Sequence, residues 1–294
     1  MTNTKDRYTG TLDQNNFAVD WVPSFTHDKE FLKAKIDFFK NNENQSMKYM
    51  LTEYDIFIES FTKSLQNNKQ IEIIGLDSFN QKDVVVGCQH FLDQLIMTHG
   101  LDKLQVFEGG YGYYKRLDPK FKHVTLESLQ AQKPLIIEYP FPRTGDVHPQ
   151  YDEIINTANK LEIPVYLDCA WLPISWDIKL DLTPPCIKGM AISLSKCFGL
   201  AWSRVGVRWM KDTVTDTISI ENHYRMVSYP SIMLGKYYMD RFPMEHLINK
   251  YKKLYFELCR EHDLKPGKTI MTAFSKVDNR MIGVAQALVN KIKK

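Results

Sequence analysis

The sequence lacks the features of membrane-bound, secreted and nucleic-acid-binding proteins. No apolar run reaches the length of a transmembrane helix. The first residues, MTNTKDRYTGTLDQNN, contain no apolar segment of the kind that signal peptides carry. The formal net charge of +3 over 294 residues is too small to indicate nucleic acid or an anionic membrane as a partner. We therefore expect a cytoplasmic protein that binds neither nucleic acid nor a membrane.

Cysteine is scarce, and its spacing argues against two kinds of site. The five cysteines are Cys88, Cys169, Cys186, Cys197 and Cys259, and no two of them form a CxxC pair. An odd, scattered set indicates reduced thiols in a cytosolic protein. Neither a disulfide framework nor a metal site is predicted.

The middle of the chain alternates short apolar runs with longer amphipathic segments. The apolar runs are IEIIG (71–75), VVVG (84–87), LQVFEG (104–109), LIIEYP (135–140), VYLDC (165–169), AISLS (191–195) and VGVRWM (205–210). Runs of this length fit strands that are buried on both faces, and several are separated by helix-like segments. The alternation is typical of α/β proteins. It predicts a three-layer α/β/α fold around a seven-stranded, mostly parallel sheet.

The two ends of the chain have a different character. Residues 29–67 and 215–262 show helical periodicity. The sequence therefore predicts an N-terminal arm and helix over 1–48 that contribute to a small domain. A large domain over 49–212 and a reduced C-terminal small domain over 213–294 complete the predicted organisation.

The segment SLSKCFGLAWSRVGVRW (193–209) carries the strongest chemical signal. Lys196 directly follows a predicted buried strand, where a partly apolar pocket can keep its amine neutral enough to form a Schiff base. Ser193, Ser195 and Arg204 are suited to a phosphate dianion, the arginine through paired charge-assisted hydrogen bonds. The competing interpretation is a surface lysine and arginine in an ordinary loop.

This segment resembles the cofactor-lysine motif of fold-type I pyridoxal 5′-phosphate (PLP) enzymes, the aspartate aminotransferase superfamily. The motif is S-x-[ST]-K-x-x-G-x-x-x-x-R-x-G, and the sequence matches it at Lys196, Gly199, Arg204 and Gly206. The resemblance implies that Lys196 carries PLP as a Schiff base.

The run VYLDCAWLP (165–173) resembles the D-x-A-[YH] step of the same enzymes. Asp168 ends a predicted strand, at the edge where ligand sites of α/β proteins lie. In the family this aspartate holds the pyridine nitrogen and the residue three positions later contacts the phenolic oxygen. Here that residue is Trp171, whose indole N–H can donate but never accept. A lone aspartate in such a turn is also a common helix cap.

The step VVVGCQHFLDQLI (84–96) resembles the G-[AS]-Q-x-x-[AL] phosphate cup of the family. Gly87, Cys88 and Gln89 match its first three positions. A glycine at the start of a helix exposes backbone N–H groups that bind phosphate.

Tyrosines follow the next strand, in LQVFEGGYGYYKRL (104–117). The family has P-x-[YFW] there, and its aromatic ring stacks on the pyridine ring. The proline is missing here. Tyr111 is the candidate stacking residue and Tyr113 the second choice, although tyrosines also serve as ordinary packing groups.

The segment PFPRTGDVHP (140–149) departs most from the family pattern N-P-x-N-P-T-G. Thr144 and Gly145 match, but the asparagine that contacts the phenolic oxygen falls on Pro142, which has no N–H to donate. Arg143 replaces the next proline and is a candidate to reach into the site. This departure affects the prediction of the reaction type more than the prediction of the cofactor.

The segment DNRMIGVAQAL (278–288) resembles the family's carboxylate-binding segment, with Arg280 at the position of the substrate-binding arginine. A guanidinium suits a carboxylate, although a surface arginine fits the same pattern. Tyr49 is a poor local match to the family's tyrosine that reaches the phosphate of a neighbouring subunit.

Together these matches imply a PLP-dependent aminotransferase, a homodimer acting on an amino acid and a keto acid. Lys196 and Asp168 are then the catalytic residues. Two alternatives stay open: a PLP lyase, decarboxylase or racemase on the same scaffold, and a non-catalytic binding protein with a PLP fold. The departures at Pro142 and Trp171 keep the first open, whereas the presence of Lys196 and Asp168 argues against the second.

Overall fold

The computed structural model describes Phe17, residues 25–42 and residues 50–292. Tyr49 and most of the predicted N-terminal arm lie outside the described residues. No helix within these ranges is both long and apolar enough to cross a membrane.

Helices and strands alternate through the middle of the chain, and helices dominate its two ends. The helices are α1 (Lys29–Asn41), α2 (Met50–Gln66), α3 (Gly87–His99), α4 (Tyr113–Leu117), α5 (Tyr151–Lys160), α6 (Leu194–Cys197), α7 (Thr217–His223), α8 (Tyr229–Met239), α9 (His246–Glu261) and α10 (Ala285–Ile292). The strands are β1 (Ile71–Ile74), β2 (Gln81–Val85), β3 (Gln105–Val106), β4 (Leu135–Glu138), β5 (Val165–Asp168), β6 (Ile178–Asp181), β7 (Ile187–Ser193), β8 (Gly206–Met210), β9 (Leu264–Pro266), β10 (Thr272–Ser275) and β11 (Met281–Gly283).

The central sheet has the strand order β2-β8-β7-β5-β4-β3. The pairs β3–β4, β4–β5 and β5–β7 are parallel. Strand β8 runs antiparallel to both of its neighbours, β7 and β2. Because five of these strands point the same way, their carboxyl ends lie along one edge of the sheet. That edge is where ligand sites form in open α/β sheets.

Alternate residues of the central strands face two cores. Leu135 and Ile137 of β4 belong to one core, and Ile136 between them belongs to the other, together with Phe91 and Leu92 of α3. All four residues of β4 are buried. A strand buried on both faces is covered by other elements above and below. The predicted α/β class with a mostly parallel sheet is confirmed.

The predicted number of strands in the central sheet is wrong by one. The run IEIIG (71–75) forms β1, which pairs in parallel with β6 as a separate two-stranded sheet. Glu72 in the middle of β1 is exposed and lies 3.4 Å from the Lys179 ammonium of β6. An exposed charged residue within a strand shows that one face of the strand meets solvent. The central strands, in contrast, are buried on both faces. The sheet therefore has six strands.

The two ends of the chain are joined through α1 and α9. The Asp28 side chain caps α1 by accepting a hydrogen bond from the Glu30 N–H at 2.9 Å. It also accepts one from the Lys250 ammonium of α9 at 2.7 Å. After α9, strands β9, β10 and β11 form an antiparallel sheet in the order β11-β10-β9. Ile270 and Ala273 from this segment share the core of Leu135. The division into a large and a small domain stays a prediction.

Candidate active site

A cavity of about 430 Å³ lies at the carboxyl ends of the parallel strands. Three strands bring a polar side chain to it, since Glu138, Asp168 and Ser193 are the last residues of β4, β5 and β7. Its lining consists of Cys88, Gln89, Leu92, Gly110, Tyr111, Gly112, Arg116, Glu138, Pro140, Pro142, Asp168, Ala170, Trp171, Ser193, Ser195, Lys196, Ala201, Arg204 and Met281. Most of the residues that the sequence predicts for a cofactor site therefore line one cavity.

Lys196 reaches the cavity from α6, the short helix that begins directly after β7. Burial and then the nearby positive charge of Arg204 lower the pKa of this amine to about 8, while Asp168 and Cys88 oppose the shift. An amine with that pKa is neutral in about a tenth of the molecules at neutral pH. Lys196 can therefore act as a nucleophile toward a carbonyl group and as a base.

Asp168 is the only predicted carboxylate of the site, and it is 7% exposed. Its side chain accepts a hydrogen bond from the Ala170 N–H at 3.0 Å. Burial raises the pKa of this carboxyl, whereas the Ala170 N–H, the Cys88 thiol and the Lys196 charge lower it. The group is suited to pair with one buried cation, because such a partner would offset the burial that now disfavours its charge.

Six residues form what we call the anion cradle: Gly87, Cys88, Gln89, Ser193, Ser195 and Arg204. Helix α3 begins at Gly87, which has φ +75°, and a Cβ there would lie 3.0 Å from the guanidinium Nε of Arg204. Gly87 itself does not line the cavity, but it allows Arg204 to pack over the start of α3. A helix N-terminus beside a guanidinium is a strong site for a phosphate.

The anion cradle keeps several donors unused. The Ser195 hydroxyl is buried and has no hydrogen-bond partner. Within the described part of the chain, the Arg204 guanidinium donates no hydrogen bond and forms no ion pair. Buried polar groups are ordinarily paired, so the unpaired Ser195 hydroxyl points to a missing partner, and the exposed Arg204 guanidinium beside it suits an anion in that role.

Tyr111 lines the cavity, and Tyr113 does not. The two rings stack with centroids 5.8 Å apart and an interplanar angle of 18°. The Tyr113 hydroxyl donates a hydrogen bond to Asp93, which directs it away from the cavity. This placement favours Tyr111 over Tyr113 as the predicted stacking residue.

Trp171 and Pro142, at the two positions that the family pattern uses for the phenolic oxygen, both line the cavity. Pro142 offers no donor. The Trp171 indole N–H donates no hydrogen bond within the described residues. Trp171 is therefore available for that contact, as predicted from its place after Asp168.

Two predicted substrate-binding arginines lie outside the cavity lining. Arg143 is exposed, and its aliphatic part packs over Gly109, where a Cβ would lie 2.5 Å from the arginine Cδ. The side chain of Arg280 is 59% exposed, and its Nε lies 3.9 Å from the carboxylate of Asp278. Only its neighbour Met281 lines the cavity. The short turn before β11 leaves Arg280 facing solvent, so the structure does not bring it to the cavity with the other predicted residues.

Two charged residues of the cavity were missed in the sequence. Arg116 lines the cavity from α4, and no sequence pattern singles it out. Glu138 ends the apolar run LIIE just as Asp168 ends VYLD, so the reasoning applied to Asp168 identifies it too. The pKa of Glu138 is raised to about 7, chiefly by burial; the Tyr111 N–H lowers it and the Asp168 charge raises it further.

Comparison with known proteins finds similarity in structure alone. Neither a protein-family model nor a curated protein sequence matches the chain. An alanine aminotransferase from Pyrococcus furiosus superposes with a TM-score of 0.58 at 14% identity, covering 94% of this chain and 88% of that one.

Two further solved structures carry PLP in their descriptions. A PLP-bound C–S lyase from Staphylococcus hominis, complexed with L-cycloserine, has a TM-score of 0.58 at 13% identity and covers 98% of this chain and 93% of its own. A histidinol-phosphate aminotransferase from Sinorhizobium meliloti, in complex with PLP, has a TM-score of 0.55 at 14% identity. It covers 92% of this chain and 87% of its own.

Proposed function

We propose that this chain, which has the fold of fold-type I PLP enzymes, binds PLP and transfers the amino group of an amino acid to a keto acid. One observation carries the proposal: Lys196, Asp168 and five of the six residues of the anion cradle, all but Gly87, line a single cavity. The fold alone would not support it, because one fold serves many functions.

The residues present fit each part of PLP. The anion cradle offers the unused Ser195 hydroxyl and Arg204 guanidinium to the phosphate. Asp168 offers a carboxylate to the pyridine nitrogen, and Tyr111 offers a ring to the pyridine face. The Lys196 amine, with its lowered pKa, is suited to hold the aldehyde carbon covalently.

Bound PLP supplies an aromatic system that accepts the electron pair left at the substrate Cα when a proton departs. Lys196 would hold the cofactor until substrate displaces it, after which its free amine takes up the Cα proton. Asp168 would keep the ring nitrogen protonated. Tyr111 would cover one face of the ring and exclude water from it.

A second candidate reaction is elimination, as in a lyase. The observation that favours it is the loss of the asparagine donor at Pro142, which leaves the contact to the phenolic oxygen to a different residue such as Trp171. Incubating the protein with PLP, an amino acid and a keto acid separates the two. A transaminase forms a new amino acid in step with a new keto acid, whereas a lyase releases ammonia. Ammonia without a new amino acid would contradict the proposed transamination.

The same resemblance underlies two further proposals. We propose that the protein acts as a homodimer and in the cytoplasm. Light scattering on the purified protein tests the first, since the measured mass corresponds to one chain or to two.

The covalent attachment of PLP is expected at Lys196. Adding PLP to the purified protein should give a yellow solution, and borohydride reduction should then fix the cofactor to one peptide. Mass spectrometry of the digest should place the adduct on Lys196. The Lys196→Arg variant should lose the adduct. The Lys188→Arg variant, which changes a lysine of β7, should keep it. An adduct that maps to another lysine contradicts the proposed site.

Arg116 replaces Arg280 as our candidate for the substrate carboxylate, because it lines the cavity and Arg280 does not. Arg116→Ala should raise KM for the amino acid about tenfold or more, the cost of losing a charged hydrogen bond. Arg280→Ala should leave KM unchanged. Steady-state kinetics on both variants, with PLP saturating, checks this. A KM that rises in Arg280→Ala and not in Arg116→Ala would restore the original prediction.

A further inference from the structure

Two carboxyl groups lie side by side at the carboxyl edge of the sheet. Glu138 and Asp168 are paired residues in the parallel ladder of β4 and β5, so both side chains project from the same face. Glu138 is 4% exposed and Asp168 is 7% exposed. Like charges that are buried this closely disfavour each other, so one of the two carboxyls is expected to stay protonated at neutral pH.

The hydrogen bonds around the two groups are unequal. Glu138 Oε1 accepts a hydrogen bond from the Tyr111 N–H at 2.7 Å, while its Oε2 is buried without a partner. Asp168 accepts from Ala170 N–H and faces the Lys196 charge. A bare carboxylate oxygen in a buried place is costly, and a proton on Oε2 removes that cost.

Lys196, Arg116 and Arg204 line the same cavity, but no cation of the described residues is among the influences on the pKa of Glu138. Asp168 of β5 raises its pKa, and the Tyr111 N–H is the chief opposing influence. The Tyr114 hydroxyl of α4 is buried and also has no hydrogen-bond partner. Within the described residues Glu138 forms no ion pair. Its surroundings therefore suit a neutral acid.

Gly110 makes room for this arrangement. A Cβ on Gly110 would lie 2.7 Å from Oε2 and 3.1 Å from Oε1 of Glu138. The absence of a side chain there lets the carboxyl reach the main chain of the next residue, Tyr111. The position of the candidate stacking ring thus depends on Glu138 through a single hydrogen bond.

We propose that Glu138 is a positioning residue of the site: its carboxyl keeps a proton up to about neutral pH, it fixes the main chain of Tyr111, and it leaves the negative charge of the pair on Asp168. The role of this arrangement, to position a ring against PLP, rests on the proposed function. Its protonation and its hold on Tyr111 are properties of the protein alone.

The protonation of Glu138 is tested by stability against pH. Its pKa is about 7 in the folded protein, against an ordinary value of 4.5. A carboxyl whose pKa is raised by folding stabilises the protein below its ordinary pKa, and that contribution is lost as the pH rises through 7. Glu138→Gln stays neutral and keeps an oxygen for the Tyr111 N–H.

Thermal unfolding of wild type and Glu138→Gln, without PLP, should therefore diverge with pH. The midpoint of the variant should rise relative to wild type from about pH 5 and level off above about pH 7. Glu108→Gln, which changes an exposed glutamate on the segment after β3, is the control and should give a constant difference. A constant difference for Glu138→Gln as well would show that Glu138 is already ionised and would overturn the proposal.

The effect of Glu138 on the position of Tyr111 is tested by measuring the dissociation constant of PLP. Glu138→Gln should bind PLP as wild type does, whereas Glu138→Ala, which removes the acceptor, should bind about two- to tenfold more weakly. Equal affinity of all three proteins would overturn the positioning role. If wild type itself binds no PLP, the proposed function fails, and the unfolding experiment still decides the state of Glu138.

Discussion

Asp168→Asn is expected to lower turnover by roughly 10²–10⁴-fold, the range found for positioned acid–base groups. The neutral amide supplies no negative charge to stabilise a protonated pyridine nitrogen, so the ring accepts the Cα electron pair less readily. The fold should tolerate the change. Burial already raises the pKa of Asp168, which means that its charge is unfavourable there, and an amide oxygen can still accept from the Ala170 N–H.

The measurement is the rate of a single transamination half-reaction at saturating PLP, followed by absorbance. Asp152→Asn, an exposed carboxylate on α5, is the matched control and should keep the wild-type rate. Thermal unfolding of both variants should show that Asp168→Asn remains folded. A rate within a few-fold of wild type would mean that Asp168 serves only as a turn cap.

Arg204→Ala is expected to weaken PLP binding by roughly 30- to 5,000-fold, which corresponds to about 2–5 kcal/mol for a lost charge-assisted contact. The guanidinium has no partner within the described residues, so its removal should cost the fold little. The loss should therefore appear in the cofactor affinity and leave the unfolding midpoint of the cofactor-free protein unchanged.

Titration with pyridoxal, which lacks the phosphate, isolates the reason for that loss. Arg204→Ala should weaken pyridoxal binding far less than PLP binding, since without the phosphate the remaining influence of Arg204 is its charge beside the Lys196 amine. Arg260→Ala, an exposed arginine of α9, controls for net charge and should bind PLP as wild type does. A pyridoxal affinity that falls as far as the PLP affinity would remove Arg204 from the anion cradle.

The central part of the fold and site could be predicted because its signals are local. Each parallel strand is a short apolar run, and the residue that ends it reaches the same edge of the sheet. Asp168 follows directly from that rule, and Lys196 lies three residues beyond the end of β7. Glu138 follows from the rule too, but it lies just before the segment that matches the family motif, which gives it no role.

The sequence could not predict where three features lie, because turn geometry and strand pairing determine their positions. Arg280 has the right neighbours in the sequence, but the turn before β11 determines which way its side chain points. Arg116 reaches the cavity from a five-residue helix, which no local pattern predicts. The apolar run of β1 resembles those of the central strands, and the sequence does not reveal that β1 pairs with β6 instead. Glu72 is the one residue of the run that indicates a solvent-exposed face.

The antiparallel pairing of β2 with β8 has a consequence for the order of folding. Its last register pair joins Val85 to Gly206, and the anion cradle lies just beyond, with Gly87 after one strand and Arg204 before the other. Bringing together segments so distant in sequence carries a loop-closure cost and slows folding. The two halves of the anion cradle meet only after that closure, so a chain in which β2 has not yet paired with β8 lacks the complete phosphate site.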